Sequence, residues 1–154
     1  MLKIPLILFF IRVIPESILL ILFNYIISNE KIDKKRILFS GILLGISSYI
    51  IRLLPIHFGV HTMIILMTCI FLTSKVNQIN IISSIQASII SFIVLFTCDW
   101  IFALFYTNIL NISFYDLFKH PIKSVAYSIP SLVLMFSIMM IIFYIKKYRN
   151  KKVG

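Results

Sequence analysis

The chain has 154 residues, 60% of them hydrophobic and only 13% charged, with a mean hydropathy of +1.05. A soluble domain of this length carries about a quarter charged residues and has no interior large enough for so much apolar surface, which excludes a soluble enzyme, a secreted disulfide scaffold and a disordered regulator. Fifteen Lys and Arg against five Asp and Glu give a formal net charge of +10, but the basic residues lie between and after apolar runs without any nucleic-acid-binding signature, so they are read as orienting charges that meet anionic lipid.

Crossing a hydrocarbon core takes ~20 predominantly apolar residues in a helix. The first such run covers residues 4–28 and carries Arg12 and Glu16, four apart, on one helical face where they can pair. Pro15 stands between them and cannot donate to the carbonyl of Ile11, so a kink is expected at the level of the pair. The second run, residues 37–54, closes on Arg52, Leu53, Leu54 and Pro55. Arg52 either snorkels to the interface or joins a buried cluster. Pro55 disfavours helix at Leu54, and Gly59 permits a backbone turn before the third run, residues 59–73. His57 and His61 flank that turn. They lack a matching third metal ligand, so a hydrogen-bonding or pH-sensitive pair is expected and a metal is not. The fourth run, residues 79–106, holds Asp99 beside Trp100 and is long enough to tilt or break near its outer end. The fifth covers residues 125–145 and leads into a basic tail, residues 146–154. Period-two alternation is absent, which speaks against a membrane β-barrel. The expected fold is all-α, a polytopic membrane helix bundle of about five transmembrane helices forming one integral membrane domain over 1–154.

Five spans put the termini on opposite sides. Lys31, Lys34, Lys35, Arg36, Lys75, Lys146, Lys147, Arg149, Lys151 and Lys152 share one side, against Lys3, Lys119 and Lys123 on the other. The positive-inside rule then orients the chain with its N-terminus out and its C-terminus in, as a multi-pass protein of the cell membrane. Lys3 followed by an apolar run looks superficially like a signal peptide, but Arg12 and Glu16 interrupt it and no small-residue cleavage site follows. The segment is expected to stay in the mature protein.

On this topology Arg12 lies ~12 Å and Glu16 ~18 Å below the outer surface at 1.5 Å per residue. Arg52, Asp99, His57 and His61 fall in the same outer half. Charges at such depth are costly and tend to face protein or water. Two arginines and two carboxylates can balance there, either as a lock between helices or as the floor of a pocket open to the outside. Catalytic chemistry is not legible. His61 and Cys69 are eight apart, so their helical directions differ by about 80°. Cys69 and Cys98 form no CxxC pair and read as small buried side chains. No HExxH, GxSxG or phosphate-cradling glycine loop occurs. No catalytic residue, cofactor or metal is expected.

At Arg12-Val13-Ile14-Pro15-Glu16, and from Arg52 through Pro55, Phe58, Gly59, His61 and Thr62, the chain resembles small multi-span membrane proteins of low-GC Gram-positive bacteria. Their patterns are R-x-x-P-E and R-x-L-P-x-x-F-G-x-H-T, and similar segments form the N-terminal membrane sensor region of GHKL-type histidine kinases. The resemblance covers the first three spans and, more loosely, the acid Asp99. It implies a sensing module whose signal leaves through the cytoplasmic tail. No phosphoacceptor helix or nucleotide-binding box is present, so kinase activity is not expected in this chain. A non-catalytic sensor or accessory module, with a separate membrane histidine kinase as partner, is the first expectation. A small transporter or substrate-binding membrane subunit is the second, and an immunity or toxin-like membrane protein the third.

Overall fold

The computed structural model describes residues 9–54, 58–109 and 121–152. Among these residues the regular structure is helical throughout. A π-helical turn, Phe9–Val13, runs into α1 (Ile14–Ser28), followed by α2 (Lys34–Leu53), α3 (Phe58–Lys75), α4 (Ile81–Ile109) and α5 (Pro121–Lys152). The stretch Ile11–Ser28, which joins the end of the π turn to α1, and helices α2, α4 and α5 are long and apolar enough to cross a membrane, and α3 adds a shorter apolar helix. The architecture is that of a multi-pass membrane helix bundle. The fourth helix does not break: α4 is continuous from Ile81 to Ile109.

Large apolar side chains point away from the bundle. On α2 the exposed residues Leu38, Ile42, Ile46 and Ile50 repeat every fourth position, as do Met63, Met67 and Phe71 on α3. Water would reject such stripes, whereas acyl chains solvate them. The opposite face of α2 buries Ser40, Gly41, Leu44, Gly45 and Ser48. Lipid provides no hydrophobic drive for helix association, so close van der Waals approach between small residues does the work instead. Gly41 is the tightest point. A Cβ there would stand 2.7 Å from Ile18 Cγ1 and 3.0 Å from Ile18 Cα, so α1 and α2 meet backbone to side chain. Four residues on, Gly45 leaves a looser gap, with Ser17 Oγ at 3.5 Å from the same imagined atom.

Helix α1 is the most enclosed of the described helices, in contact with each of α2, α3, α4 and α5. Half of the stretch Ile11–Ser28 is buried, against 17% of Ile129–Tyr148 on α5. Pro15 is the second residue of α1, two residues past the end of the π turn at Val13. A π turn shifts pairing from i+4 to i+5 and is one way a helix absorbs the N–H that proline lacks. Ser17 Oγ then donates to the Val13 carbonyl at 2.7 Å.

The expectation of a turn at Gly59 is corrected: Gly59 is the second residue of α3, has no positive φ, and faces open space. The chain has already departed from α2 at Leu54, which is extended at φ −72° and ψ 140°. That conformation is the one a following proline favours. Pro55 and His57 themselves lie outside the described residues, as do Lys3 and Lys119.

The ends of the helices are closed by polar caps. Asp33 accepts from the backbone N–H groups of Lys35 and Arg36 at the start of α2, at 3.1 and 3.5 Å, and its other oxygen stands 3.3 Å from Arg36 Nε. Arg36 Nη1 in turn donates to Gln78 Oε1 in the α3–α4 turn at 2.8 Å. Ser40 Oγ lies 3.2 Å from Asn77 Oδ1. These contacts hold the α1–α2 loop and the α3–α4 turn at one end of the bundle.

Candidate functional site

Toward the opposite end, the π turn carries Arg12 and the first turn of α1 carries Glu16, four residues on. Arg12 Nε lies 3.7 Å from Glu16 Oε2, and Arg12 Nη2 reaches Asp99 Oδ2 on α4, also at 3.7 Å. Glu16 Oε1 faces Arg52 Nη2, on the last turn of α2, at 3.8 Å. The far oxygen of Asp99 accepts from Ser131 Oγ of α5 at 2.6 Å. A continuous polar path therefore runs Arg52, Glu16, Arg12, Asp99, Ser131 through four helices. Its two cations and two anions sum to zero, which is how a charge cluster persists in a low-dielectric layer.

The ion pairs are loose. Charge-assisted hydrogen bonds close to about 2.7–2.9 Å, and these separations are nearly an ångström longer. Arg12 Nε and Glu16 Oε2 are buried atoms with no hydrogen-bond partner. Glu16 is the enclosed member, its side chain 12% exposed, while Arg12, Arg52 and Asp99 keep 30%, 31% and 35%. The cluster thus has a closed acidic centre and partly open flanks with unspent donors. His61, in the first turn of α3, is half-buried and its Nδ1 also lacks a partner. No ion pair or hydrogen bond among the described residues joins it to the four charges. Trp100 is exposed on the outside of α4, next to Asp99. An apolar groove lined by Phe102, Ile129, Pro130, Val133, Leu134 and Ser137 adjoins the Asp99–Ser131 contact without including a charge.

A second polar centre lies about two turns further along α1 from Glu16. Asn24 is fully buried. Its Nδ2 donates to Cys69 Sγ of α3 and to Ser88 Oγ of α4, both at 3.3 Å, and Ser91 Oγ donates to its Oδ1 at 3.1 Å. One amide therefore pins three helices. Cys69 and Cys98 are both free and buried. Among the described residues no group of three or more His, Cys, Asp or Glu is arranged to hold a metal.

A third contact closes the other end of α1. Lys146 Nζ donates to the carbonyls of Ile26 and Ile27 at 2.9 and 2.8 Å. Those carbonyls belong to the last turn of the helix, which carries negative partial charge and has no intrahelical donors left. Asn29, at φ 57°, completes the cap with its N–H on the Ile26 carbonyl.

Sequence reasoning picked out the four charges but not Asn24, Ser131 or the inward turn of Lys146. The spacing Gly41-x-x-x-Gly45 and the row Ser84, Ser88, Ser91 on α4 were signals of close helix contact. A lone Asn in an apolar run was the signal for the second centre. Comparison of the chain with protein-family models, curated proteins and solved structures finds no match.

Proposed function

We propose that the protein is a non-catalytic membrane sensor or accessory module, and that Arg12, Glu16, Arg52 and Asp99 receive a polar ligand from the external side. The observation that supports this most is the unmet hydrogen bonding at the cluster. Buried polar atoms are nearly always satisfied, yet Arg12 Nε, Glu16 Oε2 and His61 Nδ1 at this end of the bundle have no partner. A pure lock would be expected to close its pairs to hydrogen-bond length. A receptive site keeps both donors and acceptors in hand, for a polar group that engages Glu16 and an arginine together. The R-x-x-P-E and R-x-L-P-x-x-F-G-x-H-T resemblance supports the same reading, with a separate membrane histidine kinase as the partner that carries the signal onward.

The test uses the full chain in lipid nanodiscs, with a panel of small carboxylates, phosphates and peptides scored by the rise in Tm. A ligand found in this way is expected to lose its effect in both Arg52→Ala and Glu16→Ala, while both variants still insert and keep their helix content. Equal loss of folded protein in the two variants would instead make the cluster a structural lock. Flux of the same ligand into proteoliposomes would make the protein a transporter.

A further inference from the structure

At the basic end, the C-terminus of α1 and the last turns of α5 leave a groove of about 500 Å³ between them. Ile32 and Phe143 give it an apolar wall, and Tyr25, Asn29, Glu30, Lys146 and Lys147 give it a polar one. Lys146 is turned inward onto the α1 carbonyls, and Lys147 stands exposed beside it. Tyr25 is only 2% exposed, yet its hydroxyl has no hydrogen-bond partner. Buried tyrosine hydroxyls ordinarily have one.

An occupant that fits must accept a hydrogen bond from a phenol and neutralise an ammonium group. It must also lay an apolar part along Phe143 and Ile32, where the helices leave the apolar layer. A free inorganic anion meets the first two demands and not the third. We propose that this groove binds one anionic phospholipid through its headgroup phosphate, held by Lys147 and Tyr25, with an acyl chain against Phe143. Basic pockets between helix ends are a recurrent way of holding such headgroups. Glu30 sits on the same wall and opposes the charge of the phosphate, so it limits the affinity. The site is independent of whatever the Arg12–Asp99 cluster binds.

The experiment takes the full chain, purified and delipidated in a neutral detergent, and adds phosphatidylglycerol, phosphatidylcholine or inorganic phosphate. Native mass spectrometry counts the lipid retained, and Tm reports its effect. One phosphatidylglycerol per chain and a raised Tm are expected, with little retention of phosphatidylcholine and no shift from phosphate. Lys147→Gln should weaken phosphatidylglycerol binding about fivefold, the contribution of one lysine at an anionic headgroup. Lys75→Gln, another exposed lysine at the same end, should leave it unchanged. Tyr25→Phe should weaken binding at constant helix content, and Glu30→Gln should strengthen it. Equal retention of the two lipids, or equal effects of Lys147→Gln and Lys75→Gln, would overturn the proposal. A Tm shift reproduced by phosphate alone would assign the site to a free anion and overturn the lipid.

Discussion

Asn24 and Glu16 illustrate two ways in which one polar side chain organises an apolar bundle. Asn24 has no net charge and gives its amide to three partners on two helices, Cys69, Ser88 and Ser91. Interhelical hydrogen bonds in membranes average about 0.6 kcal/mol and reach about 1.7 kcal/mol. Asn24→Ala is accordingly expected to destabilise the bundle by about 1–2 kcal/mol, measured by denaturant unfolding in mixed micelles, with Ser91→Ala costing less than half as much. Glu16 instead balances two arginines, and its loss leaves both without their shared anion. The charged residues were legible in the sequence because a charge at the centre of a span costs roughly 2.5–3.5 kcal/mol on insertion scales and demands a partner. Asn24 was not, since an amide is cheaper to insert and the chain is rich in serine. Nor could the order of pairing be read. Helical spacing placed Arg12 against Glu16, but that Arg52 faces Glu16 and Asp99 faces Arg12 depends on how α2 and α4 rotate about α1.

At the scale of elements, α1 is the axis to which the rest is fastened. It carries Glu16 near one end, with Arg12 on the π turn just before it, Asn24 along its length, and at the other end the carbonyls that receive Lys146. Apolar runs gave the number and order of the described helices, because the hydrocarbon layer fixes the length a span must have, but α5 continues as helix to Lys152, past the end of its apolar run at residue 145. Rotation and contact are set by small residues, and that pattern was not read. Gly41 and Gly45 separate the two effects. Gly41→Ala is expected to push α1 from α2, because its Cβ would meet Ile18 Cγ1 at 2.7 Å and Ile18 Cα at 3.0 Å. Gly45→Ala should be tolerated, with its nearest neighbour at 3.5 Å, and Gly59→Ala should change nothing, with no atom within 4 Å. Tm in a fixed detergent should rank the three with Gly41→Ala lowest. The same Tm for all three would show that the α1–α2 contact is not close-packed.

For the molecule as a whole, the polarity of the bundle matters more than any single contact. The basic loop before α2, the turn after α3 and Lys146 gather at one end, and the neutral cluster of opposite charges occupies the other. The basic end seats a lipid in our proposal, and the charge cluster seats a signal. Both assignments require the basic end to lie in the cytoplasm and the cluster to be reached from outside. Thiol labelling with a membrane-impermeant maleimide tests that requirement most directly, since Cys69 and Cys98 are buried and stay silent. Arg52→Cys should be labelled in intact cells, and Glu30→Cys only after the membrane is opened. Labelling of Glu30→Cys in intact cells, with Arg52→Cys protected, would contradict the account.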